Sequence, residues 1–190
     1  MPGLSTAWGV GARLYSALGR LDAHFGASSW REALSFLAEF RKTEQLSEVQ
    51  FWGHGKWGDC RIAADTLGLR ALSPRHPHAP LLGAIRDRFK KGAAGLFWLR
   101  TCESFGAERG HEFAQALGDF LNCRVAGHTY VIGVWQSGLH SLLPGERPSW
   151  PSDEGLSDGT PSAPLRALSS VPNAPNTITC FDGRIPDGWR

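Results

Sequence analysis

The sequence predicts an α/β fold built on a largely parallel sheet, and three observations carry that prediction. Short, mostly apolar runs at Val49–Trp52 and Leu96–Thr101 are bounded by turn residues. Such runs suit strands buried on both faces. They alternate with segments of helical period, the arrangement of strand–helix–strand units. At 190 residues the chain holds one domain with a sizeable core and is too short for two full ones.

Taking the elements in order, residues 1–11 are small and Gly-rich with no clear period. Leu14, Leu18, Leu21 and Phe25 predict an amphipathic helix over Arg13–Phe25, broken by Gly26-Ala27-Ser28. Ser28 or Ser29 caps a second helix with the stripe Trp30, Leu34, Leu37 and Phe40, and Glu32 is placed for a capping box. A polar connection, Glu44–Glu48, leads into the Val49–Trp52 strand. Lys56-Trp57-Gly58-Asp59 is a turn and Cys60–Ala63 a short strand, together a hairpin-like excursion beside His54. Pro74, Pro77 and Pro80 make residues 73–80 a loop. Leu81, Leu82, Ile85 and Phe89 form a third helical stripe, closed by Lys90-Lys91 and Gly92.

After the Leu96–Thr101 strand comes the clearest helix, Glu108–Leu121, with Phe113, Leu117, Phe120 and Leu121 inward. Arg124–Gly127 is the next short strand, and Tyr130–Trp135 an extended continuation. Pro, Ser, Gly and Asp dominate residues 143–176 and predict a long irregular segment. Thr177–Phe181 is a last strand. No internal repeat is visible.

Composition narrows the function. A formal charge of +2, with basic residues scattered, lacks the electrostatic footprint of a nucleic-acid or membrane-surface binder. No window approaches the ~18 apolar residues of a membrane span. The four cysteines, at 60, 102, 123 and 180, show no C-x-x-C pairing or regular spacing and read as mostly reduced thiols. With no basic n-region or continuous apolar h-region at the start, these features predict a cytoplasmic protein. Close ligand pairs on turns are absent, so no metal site is expected. Cys123 and Cys180 read as small core hydrophobes.

His54 and Cys102 each end an apolar strand, where open α/β sheets place their chemistry. A free thiol near pKa ~8.5 is only a few per cent ionised at neutral pH, and an adjacent imidazole takes its proton and later protonates a leaving amine. Gly55 lets the backbone approach a substrate closely, and its N–H, with that of Cys102, suits an oxyanion. The plainer alternative is a structural cysteine and an unrelated histidine. The order strand–His–Gly, helix, strand–Cys, turn, helix favours the pair.

The interval between them is 102 − 54 = 48 residues, close to the ~50-residue separation of His and Cys in caspases. Phe51-Trp52-Gly53-His54-Gly55 matches an apolar-strand-His-Gly block, and Leu96–Cys102 with the following small residues matches an apolar-strand-Cys block. On these blocks the chain resembles the caspase-like cysteine peptidases, the group of caspases, metacaspases, gingipains and separase, over roughly residues 45–135. The resemblance implies a three-layer sandwich in a single domain over 1–190, with a mostly parallel sheet. It also implies a catalytic dyad of His54 and Cys102, and an oxyanion hole from the backbone of Gly55 and Cys102. The implied activity is that of a cysteine endopeptidase or amide hydrolase acting by acyl transfer on a protein or peptide, with no cofactor.

Two departures stand out. Cys102 is followed by Glu-Ser-Phe-Gly instead of the Arg-Gly or His-Ser-Gly of better-known members. Residues 1–44 read as helical where the family has earlier strands, so either a strand is hidden around Thr6–Val10 or the domain is trimmed.

Gly127–Tyr130 and Trp135–His140 are expected at the same sheet edge, where His128, Trp135 and Gln136 would bind substrate together with Trp57 and Glu103. Glu103, Asp153, Glu154 and Asp158 suit a basic substrate side chain, although such carboxylates are commonly just solvated. Two rival readings are a non-catalytic protein- or peptide-binding module on the same scaffold, and an accessory domain whose sheet is completed by a partner chain or second copy.

Overall fold

The computed structural model describes residues 2–190, with side chains from Trp8 onward. Helix α1 (Pro2–Ala17) is followed by an irregular stretch and α2 (Trp30–Glu39). Strand β1 (Glu48–Trp52) leads into a meander of β2 (His54–Lys56), β3 (Asp59–Ile62) and β4 (Asp65–Gly68). Helix α3 (Ala79–Arg88), strand β5 (Gly92–Arg100), helix α4 (Ala107–Leu121) and strand β6 (Cys123–His128) continue the alternation. The remainder holds β7 (Trp135–Gln136), β8 (Leu139–Leu142), the hairpin β9 (Leu156–Thr160) and β10 (Ala163–Ala167), and β11 (Ile178–Thr179).

The central sheet runs in the order β1-β5-β6-β8. β1, β5 and β6 are parallel, and β8 is an antiparallel edge strand. The fold is therefore α/β with a mostly parallel sheet. Side-chain alternation along β5 separates two layers of core. Phe97 and Leu99 join Trp30 and Leu34 of α2, Leu82 and Ile85 of α3, and Phe113 and Leu117 of α4. Trp98 faces the other way, against Ala126, Leu139, Ile178 and Ile185. Each large side chain enclosed this way contributes about 1.5–3 kcal/mol, which explains why β5 is apolar from Leu96 to Leu99.

Local chemistry sets the element ends. At α2, the Ser29 hydroxyl accepts from Glu32 N–H at 3.2 Å, while the Glu32 carboxylate reaches back to Ser28 N–H at 2.7 Å. This is a capping box closed on the preceding residue. Asn122 ends α4 in the left-handed region, φ 52°, with its N–H on the Gly118 carbonyl. The outer edge of β8 is partly covered. Leu139 N–H donates to Asn176 O, Asn176 Nδ2 donates to Leu139 O, and Leu143 N–H donates to Glu146 Oε2. Such covering blunts edge-to-edge pairing.

Several expectations are corrected. The first helix occupies Pro2–Ala17, not Arg13–Phe25. Pro2 starts it, and Gly19 at φ 65° turns the chain out of it. Leu14, Leu18 and Phe25 lie exposed, whereas Tyr15 is the buried anchor. Their regular spacing spans a helix end and so does not mark one face. Thr6–Val10 is helical, and among the described residues no strand precedes β1, which forms the other sheet edge. Tyr130–Trp135 is largely a loop, tied by a bridge from Val131 to Ser169. The segment 143–176 contains the β9–β10 hairpin, whose residues are mostly exposed and so lack the apolar alternation that marks a buried strand. Helices α2, α3 and α4 share one face of the sheet, and α1 with residues 177–190 covers the opposite one. Among the described residues no helix is long and apolar enough to cross a membrane.

Candidate active site

The register of β1 on β5 sets the site. Glu48 lies opposite Leu96 and Trp52 opposite Arg100, a constant offset of 48 residues. The same offset separates His54 from Cys102, so continuing the register by two residues brings both to neighbouring strand ends. A one-residue slip would turn every side chain of one strand to the wrong face. Past Gly53 the chain bends into β2, and Gly55 lands on the end of β5. A Cβ at Gly55 would fall 2.7 Å from Thr101 Oγ1 and 2.8 Å from the Cys102 carbonyl oxygen. Only glycine permits this approach.

Cys102 opens the turn between β5 and α4 and is half-buried. Its S–H donates to the Ile132 carbonyl at 3.9 Å, a contact open only to the protonated sulfur. Burial pushes the thiol above its ordinary value, and the neighbouring Glu103 carboxylate adds to the rise. The turn is pinned by Glu103 N–H to Tyr130 O (2.9 Å), Phe105 N–H to His128 O (3.0 Å) and Gly58 N–H to Ser104 O (3.0 Å). Cys102 N–H takes part in none of these bonds. Glu103 (φ 39°) and Ala107 (φ 60°) both hold left-handed backbone without being glycine, so strain is concentrated beside the thiol.

His54 is exposed, with its ring edge-on to Trp8 of α1 at 5.4 Å between centroids. No hydrogen bond joins it to Cys102 among the described residues. The meander explains the orientation. Gly55 pairs with Cys60, and Cys60 is buried with its sulfur 3.7 Å from Thr101 Oγ1, so this pair faces inward. His54 pairs with Arg61 on the outer, exposed face. The fold thus unites the His54-Gly55 backbone with Cys102 while the imidazole rests against α1.

Of the expected cleft wall, Trp135 is exposed. His128 and Gln136 lie in the interior instead. His128 donates from Nδ1 to Ser137 O (3.2 Å) and stacks near Trp98. Burial, with Arg100 nearby, pushes its ring down to about 3, so it is neutral. Gln136 Oε1 accepts from Arg100 Nε (3.1 Å) and Nη2 (2.8 Å). Arg100 itself lies between the rings of Trp52 and Trp98, and donates to the carbonyls of Cys180 and Asp182. It braces residues 179–182 to the sheet. Its neighbours are partners of that brace, which strand-end position alone does not reveal.

Trp57 and Glu103 sit by the β2–β3 turn, beside Cys102. Asp153 and Asp158 are exposed, whereas Glu154 pairs with His140 at 2.7 Å. Burial pushes Cys123 up to about 12 and Cys60 higher still, which leaves both inert. Among the described residues no cluster of three or more His, Cys, Asp or Glu side chains is arranged to hold a metal ion. Two surface hollows, about 580 Å³ beside Tyr15 and Asp182 and about 630 Å³ beside β8 and Trp150, border neither His54 nor Cys102. The hollow beside β8 gathers His140 and Glu154 with Ser141 and Ser149, but the Ser141 hydroxyl is already engaged, donating to Trp189 O and accepting from Arg124 Nη1. Trp8 was not legible as a site neighbour, because residues 1–11 carry no period that would place it.

No protein-family model, curated protein or solved structure matches the chain.

Proposed function

We propose that the protein is a cysteine peptidase or amide hydrolase of the caspase-like kind, its layers forming a three-layer sandwich, with Cys102 as nucleophile and His54 as base. The meeting of two strand ends carries this reading: β1 and β5 share the 48-residue offset of His54 and Cys102, and Gly55 abuts the Cys102 carbonyl. Four free cysteines suit a reducing compartment such as the cytoplasm.

At rest the sulfur is protonated and His54 is parked on Trp8. Turnover begins when the imidazole leaves Trp8 and accepts the thiol proton. The thiolate then attacks the carbonyl carbon of a bound peptide or amide, and Cys102 N–H and Gly55 N–H receive the developing oxyanion. His54 returns the proton to the departing amine, leaving a thioester on Cys102. A water deprotonated by His54 hydrolyses the thioester and restores the thiol.

A non-catalytic peptide-binding module is the competing reading, favoured by the raised thiol and the missing His54–Cys102 hydrogen bond. Iodoacetamide labelling read by mass spectrometry separates the two. On the catalytic reading Cys102 is alkylated at least about tenfold faster than Cys60 and Cys123. His54→Ala then slows Cys102 while leaving the half-buried Cys180 unchanged. Slow labelling of Cys102 that ignores His54 supports the binding module.

A further inference from the structure

The two edges of the central sheet are finished differently. Asn176 and Glu146 bond the outer side of β8. At β1, Leu96 N–H donates to Ser47 O, so the backbone groups of Ser47, Val49 and Phe51 face β5, and those of Glu48, Gln50 and Trp52 face outward. Among the described residues none of these outward N–H and C=O groups has a hydrogen-bond partner. β1 also lacks the devices that keep an edge from pairing: it has no proline, no lysine and no bulge.

The hollow of about 580 Å³ borders this edge, walled by Glu48 and Gln50, by Tyr15 and Arg20 at the end of α1, and by residues 181–184. Its acids are engaged. Gln50 Nε2 donates to Glu48 Oε1 at 2.6 Å, and Asp182 Oδ2 accepts the Thr179 N–H at 2.7 Å and hydroxyl at 3.1 Å. Its cations are not. Among the described residues no carboxylate lies within ion-pair distance of Arg20 or Arg184. A Cβ at Gly183 would fall 3.5 Å from Arg20 Nη1, so Arg20 packs against the segment that carries Arg184. Behind the hollow stands Arg100, 3% exposed. Every acceptor it meets is neutral: the Gln50 and Gln136 amides, the Tyr15 hydroxyl and backbone carbonyls. A buried guanidinium without a counterion keeps its field in such low-dielectric surroundings, which leaves the hollow net positive.

An uncovered strand edge takes a strand, and a positive hollow takes an anion. One extended peptide supplies both. Its side chains alternate between two faces. On one face they meet Arg20, Arg184 and the exposed Phe181 ring. On the other they meet Val49 and Phe51, which pack on the helical layer and stay half-buried. We propose that the β1 edge docks an extended segment of a partner protein in which acidic residues alternate with aliphatic ones. The segment adds to the sheet as a further strand, and a carboxylate enters the hollow between Arg20 and Arg184. This surface is separate from Cys102 and does not depend on Cys102 being a nucleophile.

The test measures binding of fluorescein-labelled peptides by polarisation. The probe is a pool of the form Gly-Ser-X-Glu-X-Glu-X-Ser-Gly, with X valine, isoleucine or leucine. One comparison pool carries glutamine in place of glutamate, and another is N-methylated through its central residues. The glutamate pool is expected to bind saturably and about tenfold or more tighter than the glutamine pool, the scale of a charge-assisted hydrogen-bonded pair. N-methylation, which removes the strand's donors, should weaken binding by at least as much. Arg20→Gln with Arg184→Gln should bring the glutamate-to-glutamine ratio close to one, with the thermal unfolding midpoint confirming the fold. If that double variant fails to fold, salt decides: glutamate-pool affinity in the unaltered protein should fall as salt rises, and an affinity indifferent to salt overturns the proposal. Absence of saturable binding, equal affinity for the two pools, or a ratio that survives the double variant each overturns it. Undiminished binding of the N-methylated pool reduces the site to an isolated anion hollow and overturns strand addition. None of these failures touches the reading of Cys102.

Discussion

His140 and His54 live under opposite restraints. His140 Nε2 lies 2.7 Å from Glu154 Oε1, which also accepts the Thr129 hydroxyl at 2.7 Å. Its ring stacks on Trp150 at 4.4 Å, nearly parallel. The His54 ring touches one aromatic edge and has no hydrogen bond among the described residues. The better-made histidine pair has no part in the proposed chemistry, and the histidine proposed to serve Cys102 is loosely held. A locked imidazole braces the crossing of residues 129–154; a ring that must collect a proton and deliver it elsewhere needs room to move.

The largest expected effect breaks the comparison by function. His54→Ala should lower amide hydrolysis by about 10²–10⁴-fold, the usual worth of a general base. Its unfolding midpoint should barely move, since exposed substitutions stay within about 0.5 kcal/mol. His140→Ala should do the reverse. A hydrolysis rate more sensitive to His140 than to His54 would move the catalytic base to the other cluster.

Next in size is the stability of the locked pair. His140→Ala or Glu154→Gln strips one partner from an enclosed hydrogen-bonded pair and should destabilise by about 2–4 kcal/mol in denaturant titrations. For Glu154, burial works to raise the carboxyl, but the His140 and Thr129 bonds outweigh it and hold it below the ordinary value of 4.5. That stabilisation is present above about pH 4.5 and is lost as pH falls through the lower folded value.

A third histidine extends the contrast to full burial. His128 titrates near 3 in the fold against 6.5 ordinarily. Below about pH 6.5 the unfolded chain takes up a proton that the folded chain refuses. Stability should therefore fall with decreasing pH by up to about 1.4 kcal/mol per unit from this group. His128→Gln should flatten the slope by one proton's worth, and an unchanged slope would refute the assignment.

The smallest effect sharpens the looser site. An edge-to-face aromatic contact contributes about 0.5–1.5 kcal/mol, so Trp8→Ala should release His54 and speed Cys102 alkylation roughly two- to tenfold. No acceleration would show that Trp8 does not hold the ring.

The strands were legible because β5 is apolar and buried over Phe97–Leu99, and because Val49–Trp52, although only half-buried at the sheet edge, keeps three apolar residues of four between turn signals. The 48-residue interval was legible too, although its structural meaning as a strand register needed the pairing itself. Residues 13–25 misled because the leucine spacing continues past Gly19, where the helix has ended. β9 and β10 were invisible, since an exposed hairpin has no apolar alternation. His128 and Gln136 read as cleft residues because their positions follow a strand end; only three-dimensional packing shows them turned toward Arg100 and Trp98. Glu103 could be flagged as acidic, but its enclosure depends on a hairpin 45 residues upstream folding over it.

The pH profile of Cys102 alkylation tests the central claim most directly. Burial alone gives a thiol that reacts only above the ordinary cysteine range, at a single titration. If His54 serves as its base, the unaltered protein should show an additional reactive limb at lower pH than the thiol's own titration, and His54→Ala should erase it. A single high-pH titration, identical in both proteins, would contradict the pairing of His54 with Cys102.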